Sequence, residues 1–319
     1  MRALWFYTLV LAIAGGPVAA QKQPSPSERA ARPAAFSAKT AWGHPDLQGI
    51  WDFRTVTPME RPVEFGDKAV LIAKEAEEFE RRAVANRDAD QKRGKTVTER
   101  RQVNGTTETE DLSLAYNDFW WDRGTKVVGT RRTSLIVDPP NGRFPLLTDA
   151  GQKRLAAEDE VRERPSVGPE DRPVGERCIL GFNSGPPMTP AAYNMNVQLL
   201  QTPDYVVVLN EMVHNARIIP LDGRPHVTVR QWVGDSRGRW EGNTLVVETK
   251  SFYQTTSLRG SSPNMRLTER FTRVSADVLL YEFTVNDPQT WTKPWTAQIP
   301  MVKTNLLMYE YTCHEATTA

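Results

Sequence analysis

Two cysteines and four histidines are all the sequence carries of the residues that most often hold metals and redox centres. It has no C-x-x-C pair, no haem-attachment motif, no G-x-G-x-x-G fingerprint and no phosphate-cradling G-x-x-x-x-G-K-[ST] loop. These absences argue against disulfide exchange, covalent haem and nucleotide cofactors, because each needs those residue types at those spacings. Charge of one sign is also missing: 40 Lys and Arg face 39 Asp and Glu, a formal net charge of +1. No global field then favours nucleic acid or an anionic membrane. A bilayer-spanning helix needs about 20 apolar residues, and no such run occurs beyond the N-terminus.

The first twenty residues hold one charged side chain, Arg2, then an apolar run from Leu4 to Ala14, the breaker Gly15-Gly16-Pro17, and Val18-Ala19-Ala20 before Gln21. That order reads as a signal peptide over 1–20, with a retained anchor as the alternative. The expected location is therefore periplasmic or secreted, with no membrane insertion after signal cleavage. In an oxidising compartment Cys178 and Cys313 read as one disulfide closing a long loop, the alternative being two buried thiols. Residues 21–40 are rich in Ala, Ser and Pro without periodicity and read as a disordered linker. A single β-rich domain is expected over 41–319.

Within that domain the hydrophobic period changes twice. Leu47 to Thr55 alternates and predicts a strand, whereas Asp67 to about Asp90 places Val70, Leu71, Ala76, Phe79 and Val84 at helical spacing. Residues 91–113 are polar, contain Asn104-Gly105 and read as a flexible segment. A second helix is expected after Thr148, reaching about Arg162. From Val197 onward strand signals follow one another: 197–201, 205–212, 216–221, 229–233, 244–252, 265–274, 278–285, 297–303 and 307–313. Turn dipeptides such as Asp222-Gly223 and Gly242-Asn243 separate them. Short strands with tight turns and no intervening helices pair antiparallel. The expected fold is mainly β, a large antiparallel β-barrel or sandwich of calycin-like architecture with one or two peripheral helices.

Four segments carry a resemblance: Pro45-Asp46-Leu47-Gln48-Gly49-Ile50-Trp51, Ile218 through His226, Gly238 through Val247, and Glu282 through Pro288 leading to Lys293-Pro294-Trp295. Together they resemble an uncharacterised family of secreted bacterial proteins over essentially the whole mature chain. The resemblance implies export and attaches no activity. The chain departs from the group at Asn243, where Asp is usual, and at Arg266, where His is expected.

Three constellations have chemical potential. Gly234-Asp235-Ser236-Arg237-Gly238 matches G-x-S-x-G, but no helix follows to hold a nucleophile elbow, so a turn between strands is expected. Glu211, His214 and Arg217 lie between two apolar β segments, near a barrel rim. There His214 would act as acid or base, Glu211 would orient it, and Arg217 with His226, one hairpin later, would clamp an anion; the alternative is a solvated hairpin. Glu269 falls on the same strand face as Leu267 and Phe271, so it is either paired for structure or turned to a ligand. Asp235 and Glu269 complete the polar substrate contacts, and Tyr116 and Trp121 from an aromatic cluster supply apolar ones. No histidine pair has a metal-ligand spacing; a divalent cation on His214, His226 and Glu211 or Asp235 is the minor option.

The resulting expectation is a cofactor-independent lyase, isomerase or hydrolase acting on a small organic or sugar-derived substrate. The catalytic residues would be His214, Glu211 and His226. The competing expectation is a non-catalytic periplasmic binding protein with an apolar or aromatic ligand in the barrel; a structural envelope protein is a third. No nucleic-acid partner is expected.

Overall fold

Strand geometry sends successive side chains to opposite faces, and apolar–polar alternation satisfies it along almost the whole C-terminal half. The computed structural model describes residues 36, 38–85, 100–103, 106–109, 122–253, 258, 260–311 and 313. The segment read as a signal peptide, nearly all of the expected linker, Tyr116, Trp121 and most of the segment 86–121 lie outside the described residues.

In chain order the strands are β1 (Gly49–Asp52), β2 (Arg100–Val103), β3 (Thr106–Thr109), β4 (Ile136–Asp138), β5 (Asn196–Gln201), β6 (Tyr205–Asn210), β7 (Ala216–Pro220), β8 (Asp235–Glu241), β9 (Thr244–Lys250), β10 (Arg266–Arg273), β11 (Val278–Asn286) and β12 (Trp295–Thr304). Two helices accompany them, α1 (Ala73–Ala85) and α2 (Asp149–Glu163). β2 and β3 pair with each other, inside the segment expected to be flexible. The other strands form one ten-stranded sheet in the order β7-β6-β5-β1-β12-β11-β10-β9-β8, with β4 also pairing to β12. Every ladder in it is antiparallel.

The mainly β antiparallel fold is as expected, but the sheet is neither a closed barrel nor a two-sheet sandwich. Its edges, β7 and β8, have no ladder between them. They nevertheless come within 8 Å at Cα, so the sheet is rolled with its edges almost touching. Gly238 permits that approach: a Cβ there would lie 2.9 Å from Ile219 Cγ2 and 2.7 Å from Leu221 Cδ2.

One face of the roll is the core. Leu279, Tyr281, Phe283 and Val285 of β11 and Trp295, Ala297, Ile299 and Met301 of β12 are all buried on it, joined by Trp51 of β1 and Val206 and Val208 of β6. Residues of this class each contribute roughly 1.5–3 kcal/mol on full burial, so the core holds the roll shut without an edge ladder. The Pro45–Trp51 segment is fastened beneath it, since Gln201 accepts from Leu47 N at 2.6 Å and donates to Pro45 O at 3.0 Å.

The helices lie where the period predicts. Thr148 caps α2 by accepting from Gly151 N at 3.0 Å. Cys178 and Cys313 form the expected disulfide across 135 residues. No helix among the described residues is long and apolar enough to cross a membrane.

Two expected strands are absent. Residues 229–233 form an exposed loop: Val229 is 70% exposed, and Arg230 ties the loop down by donating to Phe252 O and Pro263 O. Its pairing stops at a single parallel bridge, Gln231 with Phe252 just past β9, which is too short to make a strand. The described residues of 307–313 form no strand and are held by Tyr309 N donating to Glu211 Oε1 at 3.4 Å and by the disulfide. Conversely, the expected turn around Ser236 is strand β8, where Ser236 Oγ pairs with Thr249 Oγ1 at 2.9 Å on the neighbouring strand. A serine locked into a sheet cannot present itself as an elbow.

Candidate active site

β7 ends at Pro220 and β8 begins at Asp235, and the loop between them carries His226. Asp235 is buried at the first position of β8. Its Oδ2 accepts from Val227 N at 3.0 Å and lies 2.9 Å from His226 Nδ1, while Oδ1 accepts from Arg237 Nη1 at 2.6 Å. Period two puts Asp235 and Arg237 on one strand face, which is why they meet.

Arg237 also fixes the approach to the histidine. It donates through Nε to Arg224 O and Pro225 O and through Nη2 to Pro225 O, each at 3.0–3.2 Å. The backbone immediately before His226 is thereby held against β8, and Ser251 Oγ holds the backbone after it by donating to Val227 O at 2.9 Å. A carboxylate facing Nδ1 selects the tautomer with the proton on that nitrogen and leaves the Nε2 lone pair outward. The His226 side chain keeps 15% of its exposure, and its Nε2 meets no hydrogen-bonding group among the described residues. The arrangement is an oriented imidazole that can take a proton from, or return one to, a molecule arriving from solvent.

The residues expected around His214 separate differently. His214 is exposed at the β6–β7 turn and its side chain does not meet Glu211. Glu211 is buried and accepts from Asn196 Nδ2 at 2.9 Å. His214 and His226 flank opposite ends of β7, and its five residues span about 16 Å. They therefore do not share one mouth, and the joint His214–Glu211–His226 constellation is not assembled. Of the residues weighed as metal ligands, His226 and Asp235 are the pair whose side chains meet. Among the described residues no three of His, Cys, Asp and Glu gather as a metal group.

Arg217 and Glu269 meet inside the roll. Two guanidinium nitrogens donate to the two carboxylate oxygens at 2.6 and 2.8 Å, with Arg217 1% and Glu269 0% exposed. Tyr281 donates to Glu269 Oε1 at 2.8 Å and accepts from Met188 N at 3.1 Å. Burial alone would lower the Arg217 pKa, but attraction and hydrogen bonding from Glu269 outweigh it and hold the pKa above its ordinary value. Burial, reinforced by the Glu269 charge, pushes Tyr281 well above its ordinary value, so it stays a phenol. Enclosed on all sides, this cluster fulfils the structural alternative for Glu269. Arg217 has a resident carboxylate where an incoming anion was expected.

Arg237 was not among the sequence candidates. Its signal was the Asp-x-Arg spacing on β8, hidden while that segment read as a turn. No family model, curated protein or solved structure matches the chain.

Proposed function

We propose that the protein is an extracytoplasmic, cofactor-independent enzyme that acts on a small organic or sugar-derived substrate by acid–base chemistry, with His226 moving the proton at Nε2. One observation carries this reading: the 2.9 Å pairing of His226 Nδ1 with buried Asp235, which leaves the other ring nitrogen facing outward. Asp235 and Arg237 are positioning residues that hold the ring and its loop. Export is supported by the N-terminal signal pattern and accords with the disulfide. Independence from nucleotide cofactors is supported by the absence of their sequence fingerprints.

A hydrolase, lyase or isomerase step would use Nε2 as base toward a substrate proton or water and return that proton to the leaving group. The competing reading, a binding protein with an apolar ligand inside the roll, is disfavoured because Arg217, Glu269, Tyr281, Phe271 and Phe283 occupy that space. Turnover should be sought on a panel of esters, glycosides and eliminable sugar acids. For any substrate turned over, His226→Ala and Asp235→Asn are expected to lower kcat by about 10²–10⁴-fold, the range of a general acid–base contribution. His214→Ala should leave kcat unchanged. Full turnover by His226→Ala would overturn the assignment.

A further inference from the structure

Apolar side chains gather in the open at the His226 end of β8 and β9. Val227 and Val229 are exposed, Tyr253 keeps 46% of its exposure, and Trp232 is partly exposed. Single exposed apolar residues are ordinary, but a contiguous group marks a binding surface. Backbone lacing makes this group contiguous: Ser251 Oγ donates to Val227 O at 2.9 Å, Gln231 N to Ser251 O at 2.9 Å, and Tyr253 N to Gln231 O at 2.8 Å. The Trp232 and Tyr253 rings pack with centroids 4.4 Å apart and planes inclined at 45°.

The rings stand on a fixed base. Arg230 donates to Phe252 O at 2.9 Å, to Pro263 O at 2.5 Å and to Asn264 Oδ1 at 3.0 Å. Gly234, at φ +69°, closes the loop against β9: a Cβ there would lie 2.7 Å from Thr249 Cγ2 and 2.9 Å from Phe252 Cε1. An aromatic face already held in place loses little freedom when a ligand arrives. Its position is tied to the reactive nitrogen, because His226 adjoins Val227, Val227 touches Ser251, and Tyr253 lies two residues further, at most about 7 Å of chain. That is within the reach of adjoining rings in one oligosaccharide.

A pyranose ring carries a face of polarised C–H groups and a rim of hydroxyls. The C–H face complements the negative face of an aromatic ring. Hydroxyls call for polar neighbours, and Thr228, Gln231 and Lys250 are exposed in the same segments. Planes inclined at 45° offer no common surface for a flat aromatic ligand to cover, whereas a puckered ring needs none. We propose that the substrate of the His226 site is an oligosaccharide: one pyranose ring stacks on Tyr253, braced by Trp232, and the adjoining ring is presented to Nε2. Presentation to Nε2 rests on the acid–base reading; the stacking does not.

Calorimetric titration of the full-length protein with neutral tetrasaccharides (cello-, xylo-, manno-, malto- and chitotetraose) tests the stacking. At least one is expected to bind saturably. Tyr253→Phe, which keeps the aromatic face, should bind it like the parent. Tyr253→Leu should weaken it about tenfold while the thermal transition stays cooperative. The proposal is overturned by no saturable binding across the panel, or by unchanged affinity in Tyr253→Leu. It is equally overturned if 2-naphthalenemethanol binds as tightly with the same dependence on Tyr253, or if sedimentation shows a dimer of this chain that Tyr253→Leu dissolves. Should His226→Ala keep full turnover while Tyr253→Leu loses binding, the acid–base assignment falls and the sugar site stands. Should a small ester be turned over through His226 while no tetrasaccharide binds, the sugar site falls alone.

Discussion

Two clusters in this protein use the same parts, a carboxylate set between an arginine and a third polar side chain, and burial gives them different fates. Around Glu269, the arginine and Tyr281 are enclosed with it, and the Tyr281 hydroxyl both donates to Glu269 and accepts from Met188 N. Around Asp235 only the carboxylate is buried: Arg237 and His226 keep 16% and 15% of their side-chain exposure, and one ring nitrogen of His226 meets no hydrogen-bonding group among the described residues. A sealed network exchanges nothing with solvent and contributes to architecture. An open one keeps a group with which to react. The residue types alone look alike; the clusters differ in how far each is sealed from solvent.

The largest effect should come from leaving one buried charge alone. Glu269→Leu strands Arg217 inside the roll and is expected to destabilise the protein by about 3–5 kcal/mol, read by urea unfolding. The double variant Arg217→Met with Glu269→Leu should lose less than the single, because no charge remains buried without a partner. Equal losses would mean that the pair is not sealed. Next, Tyr281→Phe removes one donor to Glu269 and the acceptor of Met188 N, for about 1–3 kcal/mol.

Asp235→Asn should cost less, about 1 kcal/mol, because Arg237 retains its carbonyl partners. The same variant should shift the His226 imidazole nitrogen resonances, since the acceptor that selects the Nδ1–H tautomer is gone; unchanged resonances would separate the two side chains in solution. The smallest effect belongs to exposed Asp222. Hydrogen bonds from the Arg224 side chain, and then from its backbone N–H, lower the Asp222 pKa to about 2. A depressed carboxylate stabilises above its unfolded value near 3.9 and loses that contribution as pH falls through its folded value. Carboxyl NMR titration should therefore find Asp222 ionised down to about pH 2, with no measurable change in stability because the pair is solvated.

Much of the fold was legible because it rests on period. The alternation in β10, β11 and β12, the helical spacing of α1 and the Thr148 cap each depend on neighbours within a few positions. Glu269 was legible as an inward acid for the same reason. The errors fall where distant contacts decide. Ser236 and Arg237 look like turn residues until Thr249 and Glu248 of β9 pair alongside them. The segment 229–233 looks like a strand, yet its pairing stops at the single bridge of Gln231 with Phe252. His214 appeared to belong with Glu211 because they are three residues apart, yet Asn196, fifteen positions away, is the group that Glu211 meets.

The sequence by itself determined that the domain is antiparallel β with two helices and that its two cysteines could be joined, because period, capping and residue chemistry are local. Tertiary structure decided that the sheet rolls without closing, that Arg217 faces Glu269 across it, and that His226 rather than His214 is held by a carboxylate. Those outcomes depend on which faces are brought together and sealed from water. Burial sets the strength of a charge pair and the availability of a nitrogen, and a residue's burial is a property of the assembled chain.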